Sequence, residues 1–208
     1  MKDFSISMAL VDYIPVLFFG IASVLLMTDL YNKMSKWAYA FFSTGTISVT
    51  IAGALKATYK LLYAARICDF MALNNLFFPL QSIGFILAGI AMIAMLIQSN
   101  KQITAAAVAP PVFSGTFVFV GLMVAGLGLM DVALCILSAK MKKAWLIVLF
   151  VLSFICSLCM GYLSSQDFAQ ASMNWIAEGV NVVGQGTLLC GVWLLHQNGL
   201  ANFQMKKE

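Results

Sequence analysis

The stretch MALNNLFFPLQSIGFILAGIAMIAMLIQ, residues 71–98, decides the fold class because it is predominantly apolar and contains no charged side chain. A helix needs about 20 such residues to cross the hydrocarbon core of a bilayer. Five more stretches of comparable length and character occur in the chain. The predicted membrane-spanning helices are residues 8–31, 37–60, 71–98, 113–138, 144–164 and 173–196.

The composition supports the same conclusion, since 62% of the residues are hydrophobic and only 10% are charged. A soluble domain would need more charged residues to cover its surface. The first apolar run is too long for the core of a cleavable signal peptide. We therefore predict an all-α fold, a polytopic helical bundle of six transmembrane helices in the cell membrane, with membrane lipids among its partners.

The two halves of the chain show signs of an internal duplication. Lys33-Met34-Ser35-Lys36 follows the first span, and Lys140-Met141-Lys142-Lys143 follows the fourth. Asn74, Gln81 and Gly84 of the third span correspond to Asn174, Asn181 and Gly184 of the sixth. Because each unit has three spans, a second copy that follows directly would be inserted upside down. The prediction is two inverted three-helix repeats, residues 1–98 and 113–208, joined by a linker at residues 99–112.

The distribution of basic residues predicts the orientation. With six spans the two termini share one side of the membrane, and that side has nine lysines and arginines against three on the other. Cytoplasmic loops carry the excess of positive charge, so both termini are expected in the cytoplasm. Lys33 and Lys36 contradict this pattern locally, which an inverted duplication would explain. The net charge of +4 comes from residues that flank the spans, and no basic stripe suited to nucleic acid is present.

The sixth span carries a polar stripe. Asn174, Glu178, Asn181 and Gln185 recur at intervals of three or four residues, which places them within an arc of about 60° on a helix. A charged residue at the centre of a membrane helix costs about 2.5–3.5 kcal/mol on insertion scales. The stripe is therefore expected to face other helices or water.

The corresponding arc of the third span combines polar and aromatic residues. It consists of Asn74, Phe78, Gln81 and Phe85, with Pro79 in the same turn of the helix. If the third and sixth spans face each other, one wall is polar and the other largely aromatic. Such walls suit an amphipathic or cationic small molecule, and the eight residues of the two arcs are the predicted substrate-binding set. The alternative is that the amides only hydrogen-bond between helices, each contributing about 0.6 kcal/mol.

Three ionisable residues are candidates for proton coupling or for a structural ion pair. Glu178 has no basic residue expected at its depth in the membrane, and burial without a partner favours the protonated form of a carboxyl group. Asp131 lies about 13 Å along the helix from Lys140, and an Asp131–Lys56 ion pair is its structural interpretation. The alternative for Glu178 is a carboxylate exposed to water at the headgroups.

Three classes of function are compatible with these features. The first is a small secondary transporter or channel for a small molecule or ion, with the path between the third and sixth spans. The second is an intramembrane enzyme that acts on a lipid or isoprenoid through Glu178 or Asp131. The third is a non-catalytic assembly subunit, and a homo-oligomer is possible. One histidine and scattered cysteines predict no metal and no cofactor, and Cys156 and Cys159 are interpreted as packing residues rather than as a redox pair.

Overall fold

The computed structural model describes residues 5–98, 116–163 and 171–204. These residues form helices and short connections, which confirms the predicted all-α class. The long and short helices are α1 (Ile6–Val11), α2 (Tyr13–Leu30), α3 (Lys36–Ala64), α4 (Met71–Gln98), α5 (Thr116–Lys140), α6 (Ile147–Leu163) and α7 (Ala171–Gln197). Asp12 separates α1 from α2 with helical φ and ψ values of −56° and −25°, so α1 and α2 form one span.

Within the described residues, five helices are long and apolar enough to cross a membrane, namely Ile6–Leu30, Lys36–Ala64, Met71–Ile97, Val118–Lys140 and Ala144–Leu163. The sixth long helix, α7, is of similar length, but its polar stripe lowers its hydropathy. The helix ends lie within a few residues of the predicted spans. The prediction of a membrane helical bundle is therefore confirmed.

The long helices form a ring in chain order. Each of them from α2 to α6 packs against the next one in the sequence, and α7 packs against α2 and closes the ring. Small residues allow two of these contacts to be very close, as is common between membrane helices. A Cβ added to Gly45 of α3 would lie 2.5 Å from the carbonyl oxygen of Gly84 in α4, and one added to Gly89 would lie 2.5 Å from that of Gly126 in α5.

The contacts between α2 and α7 show that these two helices run in the same direction. Gly186 lies against Phe18, and further along both helices Asp29 binds His196. The pair α4 and α5 is also parallel, because Gly126 packs against Phe85 whereas Leu129 packs against Gly89. We call the end of the bundle where α2, α4, α5 and α7 begin the near end, and the opposite end the far end.

The predicted inverted repeat is therefore wrong, because the two three-helix units α1–α4 and α5–α7 run in the same direction. An odd number of spans produces an inversion only if the chain between the units stays on one side of the membrane. Gln98, the last residue of α4, lies at the far end of the bundle, and Thr116, the first residue of α5, lies at the near end. The predicted linker at 99–112 lies outside the described residues, and the division of the chain into residues 1–98 and 113–208 stays a prediction.

The same geometry does not confirm the predicted placement of both termini on one side of the membrane. Ser5 lies at the near end, and the segment after Gln197 lies at the far end, where Lys33 Nζ donates a hydrogen bond to the carbonyl oxygen of Ala201 over 2.6 Å. The first and last described residues are thus on opposite sides. The cause is the same as for the predicted inverted repeat, namely the assumption that α5 runs antiparallel to α4, whereas the two helices are parallel.

The outer surface of the ring has the character expected of a lipid-facing surface. Large aliphatic side chains such as Leu17, Ile51 and Ile155 are exposed along its middle. Exposed aromatic side chains mark both ends of α6, where Trp145 and Tyr162 are 58% and 69% exposed. These two residues are about 26 Å apart along the helix axis, close to the thickness of the hydrocarbon core. Tryptophan and tyrosine concentrate at the interfaces of a membrane, which agrees with a bundle that crosses it.

Candidate functional site

A cavity of about 540 Å³ lies inside the ring, in the half of the bundle that adjoins the near end. It extends from the first turn of α4 and α7 to the middle of the bundle, and helices α3 to α7 all contribute to its walls. The structure brings all eight residues of the predicted binding set into this cavity. They are Asn74, Phe78, Gln81, Phe85, Asn174, Glu178, Asn181 and Gln185.

The walls of the cavity differ in chemistry, as the two helical arcs suggest. On the α4 side, Phe77 and Phe78 pack edge to face with ring centroids 5.0 Å apart, and Phe85 packs in the same way against Phe19 at 5.3 Å. On both sides the amide oxygens of Gln81 and Gln185 are buried and accept no hydrogen bond from the described residues. The cavity thus offers aromatic faces together with buried polar atoms that a ligand could satisfy. The role of these residues in binding stays a prediction.

A buried ion-pair network lies at the near end of the cavity. Lys60 Nζ is 2.6 Å from Asp12 Oδ2 and 2.9 Å from Glu178 Oε1. The three side chains are between 7% and 9% exposed. The interpretations of Glu178 as a carboxyl group without a partner and as a carboxylate in open water are therefore both wrong. The reason is topological, since parallel units bring the end of α3 and the beginning of α7 to the same end of the bundle.

The sequence analysis overlooked Asp12 and assigned Lys60 no partner. Asp12 lies in the first turn or two of the predicted first span, residues 8–31, and so resembles an interfacial residue at the start of a span. The signal that could have found it is the coincidence of one acidic residue in span one and one in span six with a lysine in span two. Three isolated charges at the same depth stabilise one another when they meet, because each would be costly alone.

Lys56 does not form the predicted ion pair with Asp131. Its ammonium group lies 4.0 Å from the centroid of the Phe77 ring, in a cation–π contact. Lys56 is half-buried and lines the cavity one turn of α3 below Lys60. The prediction fails because Lys56 is near one end of the bundle, whereas Asp131 lies toward the other. Lys56 is a cation that faces the cavity.

Asp131 lies outside the cavity, in the wall between α5 and α6. It is 2% exposed, and neither of its carboxylate oxygens has a hydrogen bond of normal geometry to the described residues. The polar side chain that interacts with it is Ser153, which itself lines the cavity. Asp131 therefore reaches the cavity only through one hydroxyl group.

The far half of the ring is closed by an apolar plug, which we define as the fully buried side chains of Met92, Met95, Met130, Leu134, Leu188 and Val192. These residues come from α4, α5 and α7 and belong to one continuous hydrophobic core. Below the plug, His196 Nδ1 is 2.9 Å from Asp29 Oδ1, which ties α7 to α2. The cavity is consequently closed toward the far end.

The fold defines an integral membrane protein, a ring of apolar helices that encloses a cavity lined by both polar and apolar side chains. No family model, no curated protein and no solved structure matches this chain. The assignment of a function therefore depends on the geometry of the cavity and of the charges around it.

Proposed function

We propose that this protein is a small secondary carrier, with the substrate path between α4 and α7. The observation that supports this most directly is the cavity itself, which is lined by polar and aromatic groups in one half of the bundle and closed by the plug in the other half. This is the form expected of a carrier in a conformation that is open to one side of the membrane and closed to the other. Its volume of about 540 Å³ is within the range of roughly 300–1,000 Å³ that is usual for small-molecule sites.

The chemistry of the walls narrows the class of substrate to a small amphipathic molecule with an acidic group. Lys56 provides a positive charge that faces the cavity and has a ring contact rather than an ion pair among the described residues. Phe78 and Phe85 provide apolar surface, and the amides of Gln81 and Gln185 provide hydrogen bonds deeper in the cavity. The alternative of a cationic substrate is disfavoured, because Lys56 would repel it.

The arrangement of the two units suggests how the path would alternate between the two sides. In carriers whose two repeats are parallel and related by an axis along the membrane normal, the path opens and closes by rocking of one repeat against the other around the binding site. Here the units meet at the α4–α5 and α2–α7 contacts. Opening of the far end would separate the plug residues of α4 from those of α5 and α7, and it would release the Asp29–His196 contact.

The experiment that tests this proposal measures access to the cavity from each side of the membrane. The five native cysteines are replaced by serine or alanine, and Gln185→Cys is introduced as the reporter. A membrane-impermeant maleimide is then added to the outside of right-side-out vesicles and, in a separate sample, to the outside of inverted vesicles. It therefore reaches one end of the bundle in the first sample and the other end in the second. Met95→Cys reports on the plug, and Leu17→Cys on the outer surface of the ring is the control for reagent that enters through lipid.

A carrier passes through both conformations, so Gln185→Cys is expected to react from both sides, and more slowly from the far side. Met95→Cys is expected to react from the far side, while Leu17→Cys reacts from neither. Reaction of Gln185→Cys from the near side alone, over the time in which Leu17→Cys begins to react, would contradict alternating access and favour a static pocket.

The enzyme alternative is less well supported by the positions of the acidic groups. Glu178 and Asp131 are the candidate acid–base groups of this alternative, and the packing of α5, α6 and α7 separates them by about 18 Å along the bundle axis. Two groups at that distance cannot act on the same bond. Asp12 and Glu178 are close together, but Lys60 binds both of them.

A further inference from the structure

Asp131 is the one acidic residue of the described spans that lies deep in the bundle with no basic side chain beside it. Its helix α5 packs against α4, against α6 and against the turn at Ala144–Leu146. The sequences of α4, α6 and this turn contain no lysine, arginine, histidine, aspartate or glutamate. The ionisable side chains of α6 are Cys156, Cys159 and Tyr162, and a thiol or phenol does not neutralise a carboxylate.

The remaining charged groups are engaged elsewhere. On α7, Glu178 binds Lys60 at the near end and His196 binds Asp29 at the far end. On α5 itself, Cys135 lies one turn away from Asp131 and interacts with it, and Lys140 is about 13 Å further along the helix. Nothing in the described part of the chain therefore provides a positive charge for Asp131.

An ionised carboxylate in this position would be expensive. A charged side chain at the centre of a membrane helix costs about 2.5–3.5 kcal/mol even on the most lenient scales, and a buried charge without a partner neutralises instead. A metal cation does not suit the site, since Na⁺ or Mg²⁺ requires several oxygen ligands and Asp131 and Ser153 offer three. A single proton requires only the carboxylate oxygen, and the resulting carboxylic acid can donate a hydrogen bond to the Ser153 hydroxyl.

The position of Asp131 relative to the cavity gives this proton a route. Ser153 lines the cavity, while Asp131 lies behind it, next to the plug residue Met130. A carboxyl group at the boundary between the cavity and the plug can exchange its proton with water on the near side while the cavity is open to that side. After the plug has opened, it can exchange the proton with water on the far side. The position of Glu178 is different, because Lys60 already compensates its charge.

We propose that Asp131 is the proton-binding group of this protein and that Glu178 is a structural ion-pair partner. A proton from water in the cavity adds to a carboxylate oxygen of Asp131 and forms the neutral acid. When the plug opens, the same proton is lost to water on the far side and the carboxylate is regenerated. The protonation of buried Asp131 does not depend on the proposed carrier function, whereas its role in coupling rests on that function.

The first test detects the protonated acid directly by infrared difference spectroscopy of the purified full chain at neutral pH. A protonated carboxyl group has a C=O stretching band that an ionised one lacks. The expected result is such a band in the native protein that Asp131→Asn removes and that Asp12→Asn, at a second buried carboxyl group, leaves in place. Glu178→Gln and the exposed control Asp69→Asn should both retain it.

Absence of the band from the native protein, or its survival in Asp131→Asn, would overturn the proposal. Ser153→Ala provides a second variant in case Asp131→Asn does not fold. It keeps the carboxyl group and removes the hydroxyl group beside it, so the band should move to higher frequency. A band that does not move in Ser153→Ala would place the protonated acid elsewhere and equally refute the assignment.

The second test concerns coupling and uses the labelling of Gln185→Cys from the far side over a range of pH. The rate of labelling, corrected for the reactivity of a free thiol, should depend on pH in the native background and lose that dependence with Asp131→Asn. If the pH dependence persists in Asp131→Asn, the coupling role is wrong. If Gln185→Cys reacts from the near side only, the carrier proposal fails, while the infrared band still decides whether Asp131 binds the proton.

Discussion

Replacement of Lys60 by methionine removes the cation that, among the described residues, contacts both Asp12 and Glu178. Methionine has a similar length and fills the same space, so the change isolates the loss of charge. Two carboxylates would then face each other at the near end of the cavity. The expected result is a protein that is strongly destabilised but still able to fold when one or both carboxyl groups are also neutralised.

The magnitude follows from burial. Exposed ion pairs contribute about 0–1 kcal/mol, but the side chains of this network are only 7–9% exposed. The appropriate comparison is a buried pair with one partner removed, which costs about 3–5 kcal/mol. This is a decrease of roughly two to four orders of magnitude in the folding equilibrium constant.

The assay is reversible unfolding in mixed micelles with increasing denaturing detergent, followed by tryptophan fluorescence. Lys56→Met is the matched control, because it removes the same charge one turn away on the same helix. Its contact with Phe77 is worth about 0.5–2 kcal/mol, so a smaller loss is expected. The variant with Asp12→Asn, Lys60→Met and Glu178→Gln combined should recover most of the lost stability.

Two results would refute this reasoning. A loss below about 1 kcal/mol for Lys60→Met would mean that the network behaves like a solvated surface pair. A loss of equal size for Lys56→Met would mean that the effect comes from helix α3 in general rather than from the two carboxylates. Failure of the triple variant to recover stability would show that the groups do more than compensate one another.

Two other predictions concern packing and orientation. Gly126→Ala should destabilise the bundle by about 1–3 kcal/mol, because its Cβ would lie 2.4 Å from the backbone carbonyl carbon of Phe85. Gly121→Ala in the same helix is the control, since its Cβ would meet nothing within 4 Å. It should be neutral or slightly stabilising in the same unfolding assay. Equal losses for the two variants would contradict the close α4–α5 contact. Reporter fusions should place the C-terminus in the cytoplasm and the N-terminus outside, since the far-end loops contain the lysines at 33, 36, 140, 142 and 143 and cytoplasmic loops are rich in positive charge. The same location for both fusions would reject the parallel arrangement of the two units.

The elements of the fold could be predicted from the sequence because a membrane imposes a simple length and polarity requirement. The six predicted spans agree closely with the helices, and even the polar α7 was recognised from the spacing of Asn174, Glu178 and Asn181. The arc of polar and aromatic residues on α4 correctly identified one wall of the cavity, and the polar arc on α7 identified another. Periodicity gives the face of a helix, and only one face of these helices can avoid lipid.

The direction of the second unit could not be predicted in the same way. It depends on the direction of α5 relative to α4, and no pattern in the sequence between these two helices indicates that direction. The lysines gave a warning, because Lys33 and Lys36 were on the wrong side of the predicted topology. In the parallel arrangement they lie at the same end as Lys140 and Lys143, and the conflict disappears.

The pairing of charges depended on this direction, which is why an error in topology became an error in mechanism. With inverted units, Glu178 has no lysine at its depth, and it becomes the natural candidate for a proton site. With parallel units, Lys60 reaches Glu178 and Asp12, and the residue left without a cation is Asp131. A buried carboxyl group therefore cannot be assigned a role from its own helix alone. The side of the membrane that the ends of α3 and α7 share determines whether Lys60 reaches Glu178. It therefore determines whether Glu178 or Asp131 is the candidate for proton coupling.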